Sequence, residues 1–405
     1  MPLRFRDGTG PRMSDTETLR CKVLKNGEVG FQGHHPRRSK INQKMPSKPS
    51  HKQTVSLKEL ATHVGLSPAT VSRIINQSAT EHRIAASTQL RVLEAAASLN
   101  YNPNVFARGL RQKKSFTVGV MVPEISEGYS SAVLSGIEDE LLTAGYFYFV
   151  VSHRHKRELL LHYPRLLVSR AVEGIIAVDS PLDGDPIVPV VAVSSHKRHK
   201  STINIELDNA LAVRYALDHL QRLGHRRIAF IKGQNFSSDT APRWKAIRQV
   251  AAELGIRVLP ELTVQLQGDG PGIDLGQTAA RELLSRNCRF SALFAFNDLA
   301  AIGAIIALKS AGFHVPDDVS VIGFDDIFSA STNNPPLTTV RQPMHQMGKT
   351  AARTLLRIIR GEAIEAPRQS IQVLPELIER QSTSAVREPQ PASSKRARAK
   401  NTKGR

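Results

Sequence analysis

The 405-residue sequence predicts an α/β chain with a small all-α module near its N-terminus and a body of two doubly wound parallel-sheet subdomains. Three observations predict it. Residues 54–100 place apolar side chains at helical spacing. From residue 116 onward, short runs rich in Val, Ile and Phe alternate with amphipathic stretches long enough for one helix each. The charge is also unevenly placed. Residues 1–114 hold 20 Lys and Arg against 7 Asp and Glu, residues 386–405 hold 7 against 1, and residues 115–385 hold 28 of each. A neutral body with two basic ends suits a chain that meets a polyanion through its ends and something else through its body.

In the helical module, Leu57, Leu60, Ala61 and Val64 fall at i, i+3, i+4 and i+7, and Val71, Ile74 and Ile75 repeat the spacing. Leu90, Leu93 and Ala97 read as the apolar face of a third helix. Ser56 can cap the first helix, with Glu59 three residues on completing a capping box. Gly65 permits a tight turn. Ser67 can cap the second helix, with Pro68 in its first position. That helix opens with the small residues Pro68, Ala69 and Thr70, and Ser72 and Arg73 read as its outer side. Small residues let a helix N-terminus approach the floor of a major groove, and an arginine one turn later reaches a guanine edge or a phosphate. The segment therefore reads as a helix-turn-helix.

In the body, "FTVGVMV" precedes a helix near Ser130–Ala144, and "YFYFVV" follows it. Then "VEGIIAV", "VPVVAV", "RRIAFI", "SALFAF" and "VSVIGF" each end at a polar or Gly-containing loop. Apolar runs of this length, one helix apart, indicate parallel strands covered on both faces. Their number suits two sheets better than one. The expected organisation is a disordered basic extension over 1–53, the helix-turn-helix over 54–101, a hinge over 102–115, the body over 116–384 and a disordered basic tail over 385–405. The sequence leaves both Met1 and Met45 open as the translation start.

Cys21 and Cys288 imply no disulfide framework, so a reducing, cytoplasmic setting is expected. No apolar run reaches the roughly 20 residues of a membrane span. "GDGPGIDLG" has the wrong spacing for a dinucleotide loop, and no strand–turn–helix is expected around it. His219 and His225 read as surface residues. No Cys/His cluster stands at metal spacing and no nucleophile elbow occurs. No cofactor, metal or catalytic residue is expected, and the chain does not read as an enzyme.

Several stretches resemble the lactose-repressor (LacI/GalR) family of bacterial transcription regulators. "VSLKELATHVGLSPATVSRIIN" is similar to its helix-turn-helix, and "ASLNYNPNVFARGLRQKKS" to the end of its third helix and its hinge. "RLGHRRIAFI", "ALFAFNDLAAIGAIIALKSAGFHVPDDVSVIGFDDI" and "NNPPLTTVRQP" are similar to signature stretches of its periplasmic-binding-protein-like core. The resemblance covers about residues 54–383, with its motifs in family order.

The resemblance implies roles. Pro68 and Ala69 fall where the family reads the groove, and Arg73 where it contacts a base. Ser67, Thr70, Ser72, Asn76 and Thr88 fall at phosphate-contact or capping positions. The DNA-facing set also takes in Ser56 and Leu57, and Asn104, Ala107, Leu110 and Arg111 of the hinge. Leu110 falls at the minor-groove wedge. Effector contacts fall at Arg243, Asn297 and Asp325. Loops after the first strands add Ser126, Glu127, Tyr129, His153, Arg154 and Ser194.

There are departures from the family. The loop "QSATEHRIAAS" is longer than the shortest family loops, and Ala85 stands where a serine often caps the third helix, so one phosphate contact is either missing or supplied by His82 or Arg83. An aspartate common near Ser194 and an aromatic common near Gly270 are absent. The basic loops "SHRHKRE" and "SSHKRHKS" suit either an acidic effector or plain solvated surface.

The implied partners are a near-palindromic double-stranded DNA operator, a second copy of the chain, and a small-molecule effector that is a sugar, a sugar phosphate or an acidic metabolite. No heptad repeat follows residue 383, so a homodimer is expected rather than a coiled-coil tetramer. An effector-independent regulator of the same fold is the nearest alternative. A solute-binding protein would have no use for residues 54–114.

Overall fold

The computed structural model describes residues 55–76, 83–101, 114–125, 128–182, 184–194, 201–270, 272–364 and 370–386. The hinge positions Asn104, Ala107, Leu110 and Arg111, and also His82, Ser126 and Glu127, lie outside the described residues. The chain divides into two compact units, Met1–Pro103 and Asn104–Arg405.

The first unit contains α1 (Leu57–Val64), α2 (Pro68–Ile75) and α3 (Ala86–Ser98). The expected caps form. Glu59 N–H donates to Ser56 Oγ at 3.2 Å, and the Glu59 carboxylate accepts the Ser56 N–H at 2.6 Å. Gly65 ends α1 at φ 68°, a conformation that glycine adopts without a Cβ clash. Ser67 Oγ accepts the Thr70 N–H at 3.1 Å. Leu60, Ala61, Val71 and Ile74 are buried together with Val92 and Ala96 of α3.

The expected face of α3 is wrong. Leu90 and Leu93 are 58% and 50% exposed, and Ala97 is exposed too. Val92 and Ala96, with Ala95 and Leu99 partly buried, form the packed stripe instead. Both stripes satisfy helical spacing, so only packing against α1 and α2 decides between them.

The second unit begins with β1 (Thr117–Val122), α4 (Tyr129–Thr143), β2 (Phe147–Ser152), α5 (Arg157–Ser169), β3 (Gly174–Val178), β4 (Val190–Val193) and β5 (Thr202–Leu207). It continues with α6 (Asn209–Arg222), β6 (Ile228–Lys232), α7 (Thr240–Glu253), β7 (Thr263–Gln265), α8 (Gly272–Ser285), β8 (Ala292–Ala295), α9 (Asp298–Ser310) and β9 (Ser320–Asp325). Last come α10 (Phe328–Thr332), β10 (Thr338–Arg341), α11 (Met344–Ile359), β11 (Ser370–Val373) and β12 (Glu376–Ile378).

Two six-stranded sheets result, in the orders β11-β5-β4-β3-β1-β2 and β12-β10-β9-β8-β6-β7. Every pairing is parallel except β10 with β12. The chain passes between the sheets after β5, after β10 and after β11. In each sheet the strand order reverses beside the first strand, at β1/β3 and at β6/β8. Loops leaving the carboxyl ends there diverge and open a crevice.

All seven apolar runs read as strands are strands. The sequence reading missed β5, β7, β10, β11 and β12. Most are short or only half-buried, and β11 and β12 lie at sheet edges. β10 is buried but polar. Thr339 Oγ1 donates to Asp298 at 2.6 Å and Thr338 Oγ1 accepts the Arg380 N–H at 2.9 Å. Buried hydroxyls are tolerated when bonded, and they hide a strand from an apolar scan.

α9 is apolar nearly all round and packs closely on α8. A Cβ on Gly276 would collide with the Ala300 carbonyl, and one on Gly303 with the Ile273 carbonyl.

Two further expectations need correction. "GDGPGIDLG" does lie between a strand, β7, and a helix, α8. Its glycine spacing still departs from a dinucleotide loop. His219 and His225 are buried, not on the surface. His219 Nε2 bonds Thr383 Oγ1 at 2.9 Å, and His225 bonds Ser291 Oγ at 2.9 Å and Ser384 O at 3.0 Å. They pin the chain's last described segment, where Val386 N–H still donates to Leu223 O at 2.9 Å. Among the described residues, no helix is long and apolar enough to cross a membrane.

Candidate functional site: an exposed helix face and an inter-subdomain cleft

On α2, Pro68, Ala69 and Arg73 are exposed together with the cap Ser67, while Thr70 is half-buried. Ser56 is exposed, and Leu57 and Thr88 are half-buried. Ser72 departs from its expected outward position. It is buried, and Asn76 Nδ2 donates to Ser72 O at 2.7 Å and to Ser72 Oγ at 3.2 Å. The Asn76 amide covers it, so Asn76 finishes the helix and Ser72 is not free to reach outward. Ala85 makes no side-chain cap on α3, and Arg83 is exposed beside it. The result is a helix start with small side chains, one long cation one turn later, and the helix's own N-terminal dipole. That combination fits a groove in a polyanion.

In the second unit, the two crevices at the carboxyl ends face each other. They enclose about 950 Å³ of space, counting the solvent-open mouth. Pro123 and Glu124 follow β1, and Asp179 follows β3. From the other sheet, Gln234 and Phe236 follow β6, Phe296 and Asn297 follow β8, Asp325 ends β9, and Gln342 follows β10.

Of the expected effector residues, the cleft gathers Tyr129, Arg243, Asn297 and Asp325. Arg243 is 3% exposed and held from several sides. It donates to Phe296 O at 2.8 Å, lies 3.7 Å from Asp239, and stacks on Phe324 with its Cζ 3.7 Å from the ring centre. Asn297 Oδ1 accepts the Ala300 N–H at 2.9 Å, so the residue caps α9 as well as facing the cleft. Asp325 is held by Gln342 Nε2 at 2.6 Å. Its neighbour Asp326 turns away to Arg341 at 2.7 Å and Arg380 at 2.6 Å. Asp298 fixes this turn, accepting the Ile327 N–H at 2.9 Å.

His153, Arg154 and Ser194 do not line the cleft. His153 is buried. Its Nδ1 accepts the His155 N–H at 3.1 Å, which leaves Nε2 to donate to Ser180 Oγ at 2.9 Å. Burial pushes its pKa down to about 4, so it stays neutral. Ser194 is buried and accepts the Tyr129 hydroxyl at 2.6 Å. Burial and nearby Asp239 hold that phenol well above its ordinary pKa. Arg154 is exposed and points its charge to solvent.

Little of the two basic loops is found in the described lining of the cleft. Of the loop "SHRHKRE", only His155 lines the cleft, and "SSHKRHKS" lies outside the described residues apart from its first and last serine. The lining is acidic, with Glu124, Asp179, Asp239, Asp269 and Asp325 around Arg243. Burial pushes the Asp179 and Asp325 carboxyls up to about 7, against Ser237 and Ser238 donors on one and Arg243 on the other.

Sequence reading missed Asp179, Asp239, Phe236 and Gln342. The signal for Asp179 was available, because it directly follows the run "VEGIIAV". Gln342 follows β10, which polar threonines concealed.

Residues 56–104 match the family described as bacterial regulatory proteins, lacI family, and residues 217–383 match a periplasmic binding protein-like domain. The HTH-type transcriptional repressor PurR of Photobacterium profundum is 31% identical over 336 residues, covering 81% of this chain and 98% of that protein. The HTH-type transcriptional regulator DegA of Bacillus subtilis is 32% identical over 338 residues, with 81% and 98% covered. Among solved structures, a lac repressor dimer bound to operator and the anti-inducer ONPF aligns at TM-score 0.73 and 27% identity, covering 82% of this chain and all of that one. A complex of the transcriptional regulator CelR with cellobiose aligns at 0.59 and 28%, covering 81% of this chain and 99% of that one. Matching at both its helical module and its body, and along nearly the whole length of such relatives, the chain belongs to the lacI family of bacterial regulatory proteins.

Proposed function

We propose that this chain regulates transcription, as a cytoplasmic repressor and not an enzyme, by holding a near-palindromic operator as a homodimer. A small molecule in the cleft sets its operator affinity. The observation that carries the reading is the union, in one chain, of an exposed groove-fitting helix start on α2 with a two-subdomain cleft lined by converging polar groups. A solute-binding protein needs only the second.

One α2 reads one half-site, so two copies related by a two-fold axis read a near-palindrome. The outer strand β2 supports self-association. Phe147 on it is 62% exposed and meets Phe149 edge-to-face with ring centres 5.3 Å apart, with Leu142 nearby in sequence at 61% exposed. A ligand that binds the closed and open clefts unequally shifts the population between them, and with it operator affinity.

The test is an electrophoretic shift with promoter DNA from the protein's own locus, with light scattering of the same sample. A specific, salt-sensitive complex of a dimer is expected. Equal affinity for promoter and random DNA would overturn the regulator reading. A stable monomer at micromolar concentration with full operator affinity would overturn the dimer.

A further inference from the structure

We propose that the cleft takes a cationic, donor-rich small molecule, of the class of amine-bearing polyols, and rejects anionic metabolites. This rests on the reading above that the cleft is an effector site, and it names the ligand's chemistry.

The first observation is the arrangement of charge. Carboxylates come from both subdomains, Glu124 and Asp179 from one side and Asp239, Asp269 and Asp325 from the other. Among the described lining residues the only permanent cation is Arg243, and its guanidinium is committed to Phe296 O, to Asp239 and to the faces of two phenylalanines. Among the described lining residues, an anion entering the cleft would meet several carboxylates, and a guanidinium already bonded to protein groups. In a site of reduced dielectric that repulsion is costly.

The second observation is independent of charge. Gln342 lines the cleft at 3% exposure, and its Oε1 is buried with no hydrogen-bond partner. The amide cannot simply be turned over. Its Nε2 donates to Asp325 Oδ1 at 2.6 Å, and a flip would set Oε1 against that oxygen whenever the carboxyl is ionised. A buried, oriented acceptor without a donor costs stability until something supplies one. The cleft thus presents the Asp325 carboxylate, with Gln342 held against it and one buried acceptor of that amide unsatisfied. An ammonium offers three donors and a positive charge to such a pair.

Two aromatic groups complete the fit. Phe236 and His155, one from each subdomain, stack with ring centres 4.0 Å apart at the lining. The exposed face of Phe236 suits the carbon skeleton of a polyol or an ammonium. The raised carboxyls of Asp179 and Asp325 agree with this reading. A cation beside them would draw both down and release protons on binding.

The test uses the full chain and a charge-matched series on hexose, hexitol and pentose frames. Each frame carries a hydroxyl, an amino or a phosphate group at one position. Thermal shift at millimolar probe and low salt is read first, then calorimetry on the strongest binder in two buffers of different ionisation heat. Stabilisation by amino members alone is expected, with proton release and roughly tenfold tighter binding from about pH 6 to about pH 8 for an amine that stays protonated. Asp325→Asn, checked for folding by its own melt, should lose about tenfold or more in affinity. A neutral or phosphorylated member that binds as well as its amino partner overturns the proposal. So does the absence of any amino binder. A neutral sugar that nevertheless releases operator DNA would leave the regulator reading standing and sink only the cationic ligand. An amine that binds without moving operator affinity would do the reverse.

Discussion

Asp179, at the carboxyl end of β3 in one subdomain, accepts both the backbone N–H of Ser238 at 3.0 Å and its hydroxyl at 2.5 Å from the other. Ser238 Oγ also reaches the Ser194 carbonyl. The bonds cross the cleft and tie the two subdomains together. Ser238→Ala keeps the backbone bond and loses the hydroxyl. Removing a hydroxyl that meets a buried carboxylate costs about 1–3 kcal/mol. Denaturant unfolding should show a loss of that order, and small-angle scattering a larger radius of gyration. An unchanged midpoint and radius would show that these bonds do not hold the cleft.

Asp325 predicts a pH dependence. Its folded pKa of about 7 lies above the ordinary carboxylate value near 3.8. Its protonated form is therefore favoured by folding. The contribution is fully present below about pH 4 and is lost as pH rises through about 7. Asp325→Asn keeps the acceptor for Gln342 and removes the titration. Relative to this variant, the wild type should lose on the order of a few kcal/mol between about pH 4 and about pH 8. Parallel stability curves for the two proteins would count against it.

His153 predicts the opposite slope. Its folded pKa of about 4 lies below the ordinary value of 6.5. Its neutral form is favoured by folding, so its contribution is present above about pH 6.5 and is lost as pH falls toward about 4. Relative to His153→Gln, the wild type should weaken on acidification by up to a few kcal/mol. Chemical unfolding across that range checks it, and a wild type that gains on the variant would refute it.

Arg73 is exposed on α2 one turn past the small residues that open it. Arg73→Ala should cost about 1–3 kcal/mol on operator DNA if a bidentate base contact is lost, and much less on random DNA. Competition binding separates the two. Equal losses on both DNAs would mean a phosphate contact only.

The hinge yields the last prediction. Asn104–Leu110 is too short to hold a helix alone in water, because nucleation is costly, and Gly109 adds roughly 1 kcal/mol of penalty relative to alanine. The expected outcome is that this stretch folds only on the operator, with Leu110 as the minor-groove wedge. Gly109→Ala should tighten operator binding by up to about 1 kcal/mol and blunt the effector response. Leu110→Ala should weaken operator binding and leave effector binding unchanged. Equal hydrogen-exchange protection of this stretch with and without operator would rule out folding on binding.

The sequence by itself determined the elements whose signals are local. Caps at Ser56 and Ser67, the turn at Gly65 and seven strands of Val, Ile and Phe depend on neighbours a few residues away. Four cleft residues were legible too: Arg243, Asn297 and Asp325 through the family resemblance, and Tyr129 from its loop after the first strand. What depends on partners far along the chain was decided only by the tertiary structure. Val92 rather than Leu90 faces the helical core, since both stripes have helical spacing and only α1 and α2 choose between them. Ser72 is buried because Asn76 folds over it, and His219 and His225 because Ser291, Thr383 and Ser384 return to meet them. The basic loop "SHRHKRE" suited either an acidic effector or solvated surface, because linear charge counts do not say which side chains face the cleft. Asp179 and Asp239, 60 positions apart in the chain, meet there only because the two sheets turn their reversal points toward each other.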